Sequence, residues 1–206
     1  MRIHLAVDLI ALGPALELAE SVCDHVDSMW LGPTLLKNEG LRAVEAFKTS
    51  FCHKPIVADM RSTHDGGLEA ELAFGAQADV STILAIAADE DIRAAVEFAT
   101  RHKRRIFANL IGVRNPVQRA AELTLIGVSG VVHKCAPLHG LGLSSEEMRQ
   151  ITDIDVPVFL DSCDSTEELR MVALWGVEDV VVGRPIYAAR DAILAAQAFH
   201  EVAIAL

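Results

Sequence analysis

Residues 131–135 read VVHKC, residues 157–161 read PVFLD and residues 180–183 read VVVG. Each run is mainly apolar and ends near a polar or small residue. A strand with one solvated face shows an alternating pattern, whereas a continuous apolar run indicates a strand that is covered on both faces. These runs therefore favour a parallel sheet with helices packed on it.

Working outward from these runs, short β-branched segments alternate with amphipathic segments along the chain. The clearest helical segment is Glu90–His102, which has Ile92, Ala95 and Ala99 at core spacing. Eight strands are predicted, namely Ile3–Asp8, Ser28–Gly32, Pro55–Met60, Asp79–Ala85, Arg105–Ile111, Gly130–Cys135, Pro157–Ser162 and Asp179–Gly183. Eight strand–helix units predict one α/β domain, a (β/α)8 TIM barrel over residues 1–206.

A repeated signal at three helix ends supports this count. Phe74-Gly75-Ala76, Ile126-Gly127-Val128 and Trp175-Gly176-Val177 each precede a strand and lie about fifty residues apart. Glycine at such a place predicts a left-handed residue that ends the helix. The alternative fold is an open flavodoxin-like sheet, which needs only about five strands.

Composition narrows the class of protein. The formal net charge is −11, so nucleic acid and membranes are not expected partners, because both attract clustered Lys and Arg. No run reaches the roughly 18 uncharged apolar residues of a membrane span, and residues 1–13 read as a core strand rather than a signal peptide. We therefore expect a cytoplasmic protein. The widely spaced cysteines predict reduced thiols; they are Cys23, Cys52, Cys135 and Cys163.

Polar residues at the carboxyl ends of barrel strands are expected to form the active site. This rule selects Asp8, Trp30, Asp59, Arg61, His64, Asp65, Asn109, His133, Lys134, Asp161, Ser162, Gly183 and Arg184. Asp59 is the most informative, because a carboxylate directly after an apolar run needs a cation, a metal or N–H donors to offset its desolvation. The alternative role for Asp59 is to cap the next helix.

Two other candidates also have structural alternatives. His133 and Lys134 could be a satisfied core histidine and a lysine that reaches solvent. Gly183 admits a ligand to the backbone and Arg184 suits phosphate, but a β-turn with a surface arginine is the alternative. No GxGxxG, P-loop, HExxH or GxSxG motif is present, so no nucleotide cofactor is predicted.

Nearly the whole chain resembles one family. The resemblance is carried by LAVD (5–8), LGPTLLKNEG (31–40), VADMRSTHDGGLEAELAFGAQAD (57–79), ANLIGV (108–113), GVVH (130–133) and EDVVVGRPIYAARDAILAAQAF (178–199). These stretches are similar to the orotidine 5'-phosphate decarboxylase superfamily, on the branch of 3-hexulose 6-phosphate synthase and 3-keto-L-gulonate 6-phosphate decarboxylase. The resemblance implies a homodimer that binds a small phosphorylated sugar or sugar acid, with Mg²⁺ stabilising an enediolate near the dimer interface.

Four parts of the family's site match this chain. The resemblance places Asp8 at the first-strand aspartate, Asp59 at the first acid of an Asp-x-Lys-x-x-Asp motif and His133 at the sixth-strand histidine. It also places Gly183 and Arg184 at the phosphate-binding pair.

The remaining family positions are replaced. The second-strand glutamate falls at Trp30, the motif lysine at Arg61, the second motif aspartate at His64 or in another register at Asp65, the fifth-strand acid at Asn109, and the seventh-strand Gly-Gly pair at Asp161-Ser162. Tryptophan cannot bind Mg²⁺, and arginine cannot shuttle protons as lysine can. We therefore expect weak or absent Mg²⁺ binding, with Asp59 as its one candidate ligand.

Two functions are compatible with these residues. The first is a carbon–carbon lyase, either a decarboxylase or an aldolase, that forms an enediolate from a sugar phosphate. Asp59 would hold a metal or orient Arg61, and Arg61 would stabilise the developing oxyanion. His133 or His64 would move protons, and a variant uses Lys134 for a Schiff base.

The second function is that of a catalytically altered paralogue, which binds a ligand or a partner at the barrel mouth. Trp30 would then provide a stacking surface.

Overall fold

The computed structural model describes residues 1–134 and 144–206. Within these residues, eight parallel strands pair in chain order and form a closed barrel, because the first strand also pairs with the last. The strands are β1 (Arg2–Val7), β2 (Ser28–Leu31), β3 (Ile56–Ser62), β4 (Val80–Leu84), β5 (Arg105–Asn109), β6 (Gly130–Lys134), β7 (Val158–Asp161) and β8 (Asp179–Val182). The predicted (β/α)8 barrel is confirmed, and the open flavodoxin-like sheet is wrong.

Helices form a layer outside the barrel and connect its strands. They are α1 (Leu12–Val22), α2 (Pro33–Glu39), α3 (Arg42–Ser50), α4 (Gly66–Gly75), α5 (Asp89–Arg101), α6 (Pro116–Ile126), α7 (Ser145–Thr152), α8 (Thr166–Ala173), α9 (Arg184–Tyr187) and α10 (Ala192–Ala205). A 3-10 turn at Cys23–His25 follows α1. The helix predicted over Glu90–His102 is α5, which buries the predicted Ile92 and Ala95.

The predicted strand bounds differ from the observed bounds most clearly in β3. This strand continues to Ser62, beyond the predicted end at Met60. Its pairing with β4 shifts between Ala58 and Ser62, and Arg61 adopts a left-handed backbone with φ of 50°. Such a bulge changes the direction of side chains near the end of a strand. The bulge lies in the segment that carries Asp59 and Arg61.

The glycine signal at helix ends is right in two cases out of three. Gly127 and Gly176 are left-handed, with φ of 100° and 83°. Gly75 is instead the last residue of α4, and Gln77 takes the left-handed conformation with φ of 70°. Without a side chain to compete, glycine adopts this conformation most easily, but Gln77 shows that the position of the turn is set by the following strand.

Two predictions from composition can be compared with the described residues. Cys23, Cys52 and Cys163 are free thiols, and Cys135 lies outside those residues. In the parts of the chain that the structure describes, no helix has the length and apolar character to cross a bilayer.

An aromatic cluster fills the middle of the barrel. The rings of Trp30, Phe107 and Phe159 lie with centroids 4.5–5.9 Å apart. Gly130 makes room for them, because a Cβ at this position would lie 2.9 Å from the Phe107 ring. Buried valines complete the layer, namely Val57, Val80, Val132 and Val181. The cluster separates the amino-terminal end of the barrel from the carboxyl-terminal end.

A polar network lies below this cluster, at the amino-terminal end. Arg2 donates to both carboxylate oxygens of Asp179, at 2.5 and 2.7 Å. The two ring nitrogens of His4 lie 2.9 Å from Asp179 Oδ1 and 2.7 Å from Ser28 Oγ. Trp30 Nε1 donates to the same hydroxyl at 3.0 Å. Burial alone would raise the pKa of Asp179, but the hydrogen bonds from Arg2 and His4 lower it below its ordinary value.

Candidate active site

A cavity of about 310 Å³ lies at the carboxyl-terminal end of the barrel. Active sites of this fold lie at that end, because the loops after the strands meet there. The predicted site residues that line the cavity are Asp8, Trp30, Asp59, Arg61, Asn109, Lys134, Asp161, Ser162, Gly183 and Arg184. These residues come from seven of the eight strand ends, so residues distant in sequence share one cavity.

An aspartate–arginine pair from β3 lies in this cavity. Arg61 Nε and Nη2 both contact Asp59 Oδ2, at 2.9 and 2.8 Å. The hydroxyl of Thr82 on β4 donates to Asp59 Oδ1 at 2.7 Å and accepts from the Arg61 backbone N–H at 3.0 Å. Thr82 thus fixes both the carboxylate and the left-handed backbone of its partner. Because Asp59 and Thr82 are buried, the guanidinium is held in one orientation.

A second aspartate lies near the same guanidinium. Asp161 Oδ2 is 3.9 Å from Arg61 Nη2, which is too long for a hydrogen bond. Burial and the neighbouring charge of Asp59 raise the pKa of Asp161 above its ordinary value, although Arg61 and Ser162 act in the opposite direction. Ser162 follows with a left-handed backbone, φ of 66°. Left-handed non-glycine residues are uncommon and occur disproportionately at functional sites.

Asp8 approaches the cavity from β1. Its Oδ1 accepts a hydrogen bond from the Thr34 backbone N–H, at 3.0 Å, in the first turn of α2. Gly32 leaves the room for this contact, because a Cβ there would lie 2.6 Å from Asp8 Oδ1. The glycine at the end of β2 therefore allows Asp8 to stay close to the helix.

Trp30 forms part of the cavity floor rather than its mouth. The residue is 4% exposed and packs among the aromatic rings of the barrel interior. Its indole N–H points to Ser28, towards the amino-terminal end. The stacking surface predicted at the mouth therefore has no exposed ring face to provide it.

The donors around Asp59 do not fit Mg²⁺. One carboxylate oxygen is occupied by Arg61 and the other accepts from Thr82. Across residues 1–134 and 144–206, no group of three or more His, Cys, Asp or Glu side chains could hold a metal ion. Mg²⁺ needs about six oxygens and usually one or two carboxylates. Of the two roles predicted for Asp59, the hydrogen bonds fit the orientation of Arg61.

Three predicted residues do not line the cavity. His64 and Asp65 are 80% and 74% exposed, with 3.9 Å between His64 Nδ1 and Asp65 Oδ2. His133 is partly buried, and its Nδ1 has no hydrogen-bond partner among the described residues. Burial lowers the pKa of His133, which favours its neutral form. The proton-transfer roles of His64 and His133 stay predictions, but the described cavity wall includes neither ring.

The opposite wall of the cavity carries polar groups on β5, β6 and β8. The Asn109 side-chain oxygen accepts from the Ile111 backbone N–H at 3.0 Å, which directs its NH₂ group away from that contact. Lys134 and Arg184 are exposed at the mouth. Tyr187 also lines the cavity, one turn after Arg184 on α9.

Sequence reasoning missed several contributors to this site. They are Gly32, Thr82, Asp164 and Tyr187. Tyr187 is the one tyrosine of the chain, which was an available signal. Thr82 gave none, because a threonine within VSTIL (residues 80–84) reads as an ordinary β-branched strand residue.

Comparison with known proteins defines the class to which this barrel belongs. The sequence model of the Orotidine 5'-phosphate decarboxylase / HUMPS family matches residues 1–199. The chain belongs to this family, as the resemblance predicted.

Within the family, the chain is similar to particular proteins. It is 34% identical to 3-hexulose-6-phosphate synthase of Mycobacterium gastri over 206 residues, which cover 96% of this chain and 97% of the relative. A crystal structure of 3-hexulose-6-phosphate synthase matches with a TM-score of 0.90 and 32% identity, covering 98% and 99% of the two chains. The structure of KGPDC from Streptococcus mutans in complex with D-ribose 5-phosphate shares the fold, with a TM-score of 0.90 at 23% identity, covering 99% and 97%.

Proposed function

We propose that this protein is a carbon–carbon lyase that acts on a small sugar phosphate through an enediolate. The observation that carries the proposal is the oriented Asp59–Arg61 pair inside the carboxyl-end cavity. The synthase relatives, at 34% and 32% identity over nearly the whole chain, support the substrate class. We propose an aldol-type reaction, with decarboxylation as the alternative.

The two reactions share their central chemical step. In a 3-hexulose 6-phosphate, the C3 ketone activates the C1–C2 bond for retro-aldol cleavage, which releases formaldehyde. In a 3-keto-gulonate 6-phosphate, the same bond breaks when C1 leaves as CO₂. Both reactions leave the bond's electron pair on an enediolate, whose negative charge spreads onto the C3 oxygen. A fixed cation beside that oxygen stabilises both transition states.

Arg61 is the side chain proposed to provide that cation. It is charged at all physiological pH values, and Asp59 and Thr82 hold its orientation before substrate binds. A preorganised charge needs little rearrangement during the reaction, which is the main source of electrostatic catalysis. Asp59 then acts by positioning Arg61. The predicted Schiff-base role of Lys134 and the proton-transfer role of Asp8 stay open within this proposal.

The direct test offers both substrates to the purified protein. We expect release of formaldehyde from 3-hexulose 6-phosphate and slower or no release of CO₂ from 3-keto-L-gulonate 6-phosphate. EDTA should leave the rate unchanged, because Asp59 is occupied by Arg61 and Thr82. Arg61→Ala should remove most of the activity without unfolding the protein. Binding of these compounds without turnover would instead support the altered, ligand-binding paralogue.

We also propose a cytoplasmic homodimer. Leu68 and Leu72 lie one turn apart on α4 and are 56% and 47% exposed, and Ile86 and Ile111 are exposed in the loops after β4 and β5. Exposed apolar side chains of this size are often covered by a partner. A Leu68→Glu, Leu72→Glu variant should sediment as a monomer, with Leu125→Glu on α6 as the control.

A further inference from the structure

Asp161 occupies the side of the cavity where a barrel of this kind is expected to bind phosphate. The loops after the seventh and eighth strands often form such a site. Asp161 is the last residue of β7, and its Cα pairs with Lys134 of β6 and Val181 of β8. Gly183 and Arg184 follow two and three residues after Val181. A carboxyl group thus lies between the strand ends that carry the two exposed cations.

The number of charges around Arg61 leaves Asp161 without a full counter-charge. Asp59 has both contacting nitrogens of Arg61 within 2.9 Å, whereas Asp161 is 3.9 Å from the nearer one. Burial alone would lower the pKa of Arg61, but the charges of Asp59, Asp161 and Asp8 raise it. One guanidinium is therefore shared by three carboxylates, with Asp161 at the longest measured ion-pair distance. Carboxylates that share one site do not all ionise at their ordinary pKa.

An ionised Asp161 would oppose a phosphate, because a carboxylate only accepts hydrogen bonds. A protonated carboxylic acid has one O–H donor and can replace the N–H donors that glycine amides offer in such a site. A bound phosphate adds negative charge next to Asp161 and so favours its protonated form still further. The same residue can therefore repel phosphate when ionised and hold it when protonated.

We propose that Asp161 is protonated when the sugar phosphate binds, donates its O–H to a phosphate oxygen, and makes binding of this ligand take up one proton. This inference rests on the proposed function, because it assumes a phosphorylated ligand. It predicts that the affinity falls as the pH rises through the range in which the free protein's Asp161 ionises.

Other groups around this site titrate or carry charge, and the experiment must separate them. They are Asp8 on β1, Asp59 and Arg61 on β3, Lys134 on β6, Asp164 after β7, and Arg184 with Tyr187 on α9. The phosphate itself has a second ionisation near pH 6. A substitution at Asp161 alone leaves all of these contributions in place.

The experiment is titration calorimetry of ribose 5-phosphate between pH 6.5 and pH 9, in two buffers with different heats of ionisation. We expect the unmodified protein to take up close to one proton, with affinity falling by up to about tenfold per pH unit. Asp161→Asn has a permanent N–H donor of the same shape, so it should bind without this proton uptake and without this pH dependence. Asp164→Asn, three residues further along, is the control and should keep the original pH dependence.

Each alternative result has a separate meaning. Binding of ribose 5-phosphate without proton uptake, or an Asp161→Asn variant with unchanged pH dependence, would overturn the role of Asp161 and leave the proposed function standing. Loss of binding in a folded Asp161→Asn variant would also overturn it, because the amide retains a donor. Absence of binding at every pH, together with absence of turnover, would overturn the proposed function as well.

Discussion

The barrel has an arginine–aspartate pair at each end, and the two pairs differ in how completely their polar atoms are bonded. At the amino-terminal end, both oxygens of Asp179 are bonded by Arg2, and His4 completes the contacts. At the carboxyl-terminal end, Arg61 bonds one oxygen of Asp59 and leaves Asp161 beyond hydrogen-bond distance. A closed network stabilises the fold, whereas an incompletely neutralised one retains charge for a ligand.

The same contrast extends to other aspartates at the amino-terminal end. Asp27 accepts from the Ile3 backbone N–H at 2.8 Å. Asp79 accepts from Lys48, Arg104 and the Ile56 backbone N–H, at 2.6–2.8 Å. These carboxylates join neighbouring strands at the end where the fold's stability is expected to reside. The two ends can therefore be distinguished by substitution.

The largest expected effect is loss of stability when the amino-terminal network is broken. Asp179→Ala should lower the free energy of unfolding by about 3 kcal/mol, because it leaves buried His4 and part of Arg2 without a counter-charge. This is the lower part of the range for a broken buried pair, since Arg2 is half exposed. Urea denaturation measures the change, and Asp161→Ala is the control, with an expected loss below about 1 kcal/mol. Equal losses at the two ends would contradict the comparison.

The next effect is on binding at the other end. Arg184→Ala should weaken binding of ribose 5-phosphate by about 1.5–3 kcal/mol, the range for a hydrogen bond to a charged group. Arg184 is exposed at the cavity mouth, so its stability contribution should be small. Arg190→Ala, just beyond α9, provides a charge-matched control. An affinity that does not change would show that the phosphate binds elsewhere.

A smaller effect should follow when the shape of the central cation is changed but its charge is kept. Arg61→Lys should lower kcat/KM by about tenfold to a hundredfold, because an ammonium group cannot reproduce the two nitrogen contacts to Asp59 Oδ2. The control is Arg42→Lys, which alters an arginine paired with Glu39 on the surface. Full activity in Arg61→Lys would mean that only the charge matters.

Most of the fold could be predicted from the sequence, because its strands are buried on both faces and read as apolar runs. PVFLD at residues 157–161 and VVVG at 180–183 contain β7 and most of β8. The bulge in β3 could not be predicted, since the left-handed conformation of Arg61 depends on the Thr82 hydroxyl of a neighbouring strand. Local propensity carries no information about such a contact.

The site was predictable in position but not in orientation. The rule that strand ends form the site places Asn109 and Asp161 correctly at the cavity. It does not show which way a side chain turns: Trp30 points towards Ser28 in the barrel interior, and His64 points to solvent. Packing against other strands and loops decides these directions, and a strand-end pattern does not encode it.

The smallest expected effect has the opposite sign at the two ends and depends on pH. The folded-state pKa of Asp179 is lowered, so its stabilising contribution is present above its unfolded pKa of about 3.9 and is lost as the pH falls through the folded value. The folded-state pKa of Asp161 is raised, so ionising it opposes folding once the pH exceeds about 3.9. Asp161→Asn should therefore raise the free energy of unfolding at pH 7 by about 0.5–1 kcal/mol.

This gain should shrink as the pH falls towards 4, because protonated Asp161 and asparagine then carry the same charge. Asp179→Asn should show the reverse, with a loss at pH 7 that diminishes in acid as the native carboxylate is protonated. Urea denaturation at pH 7, pH 5.5 and pH 4 measures both series under the same conditions. If Asp161→Asn instead destabilised the protein at pH 7 and recovered in acid, Asp161 would be a satisfied ion-pair partner of Arg61, and the difference between the two ends would not hold.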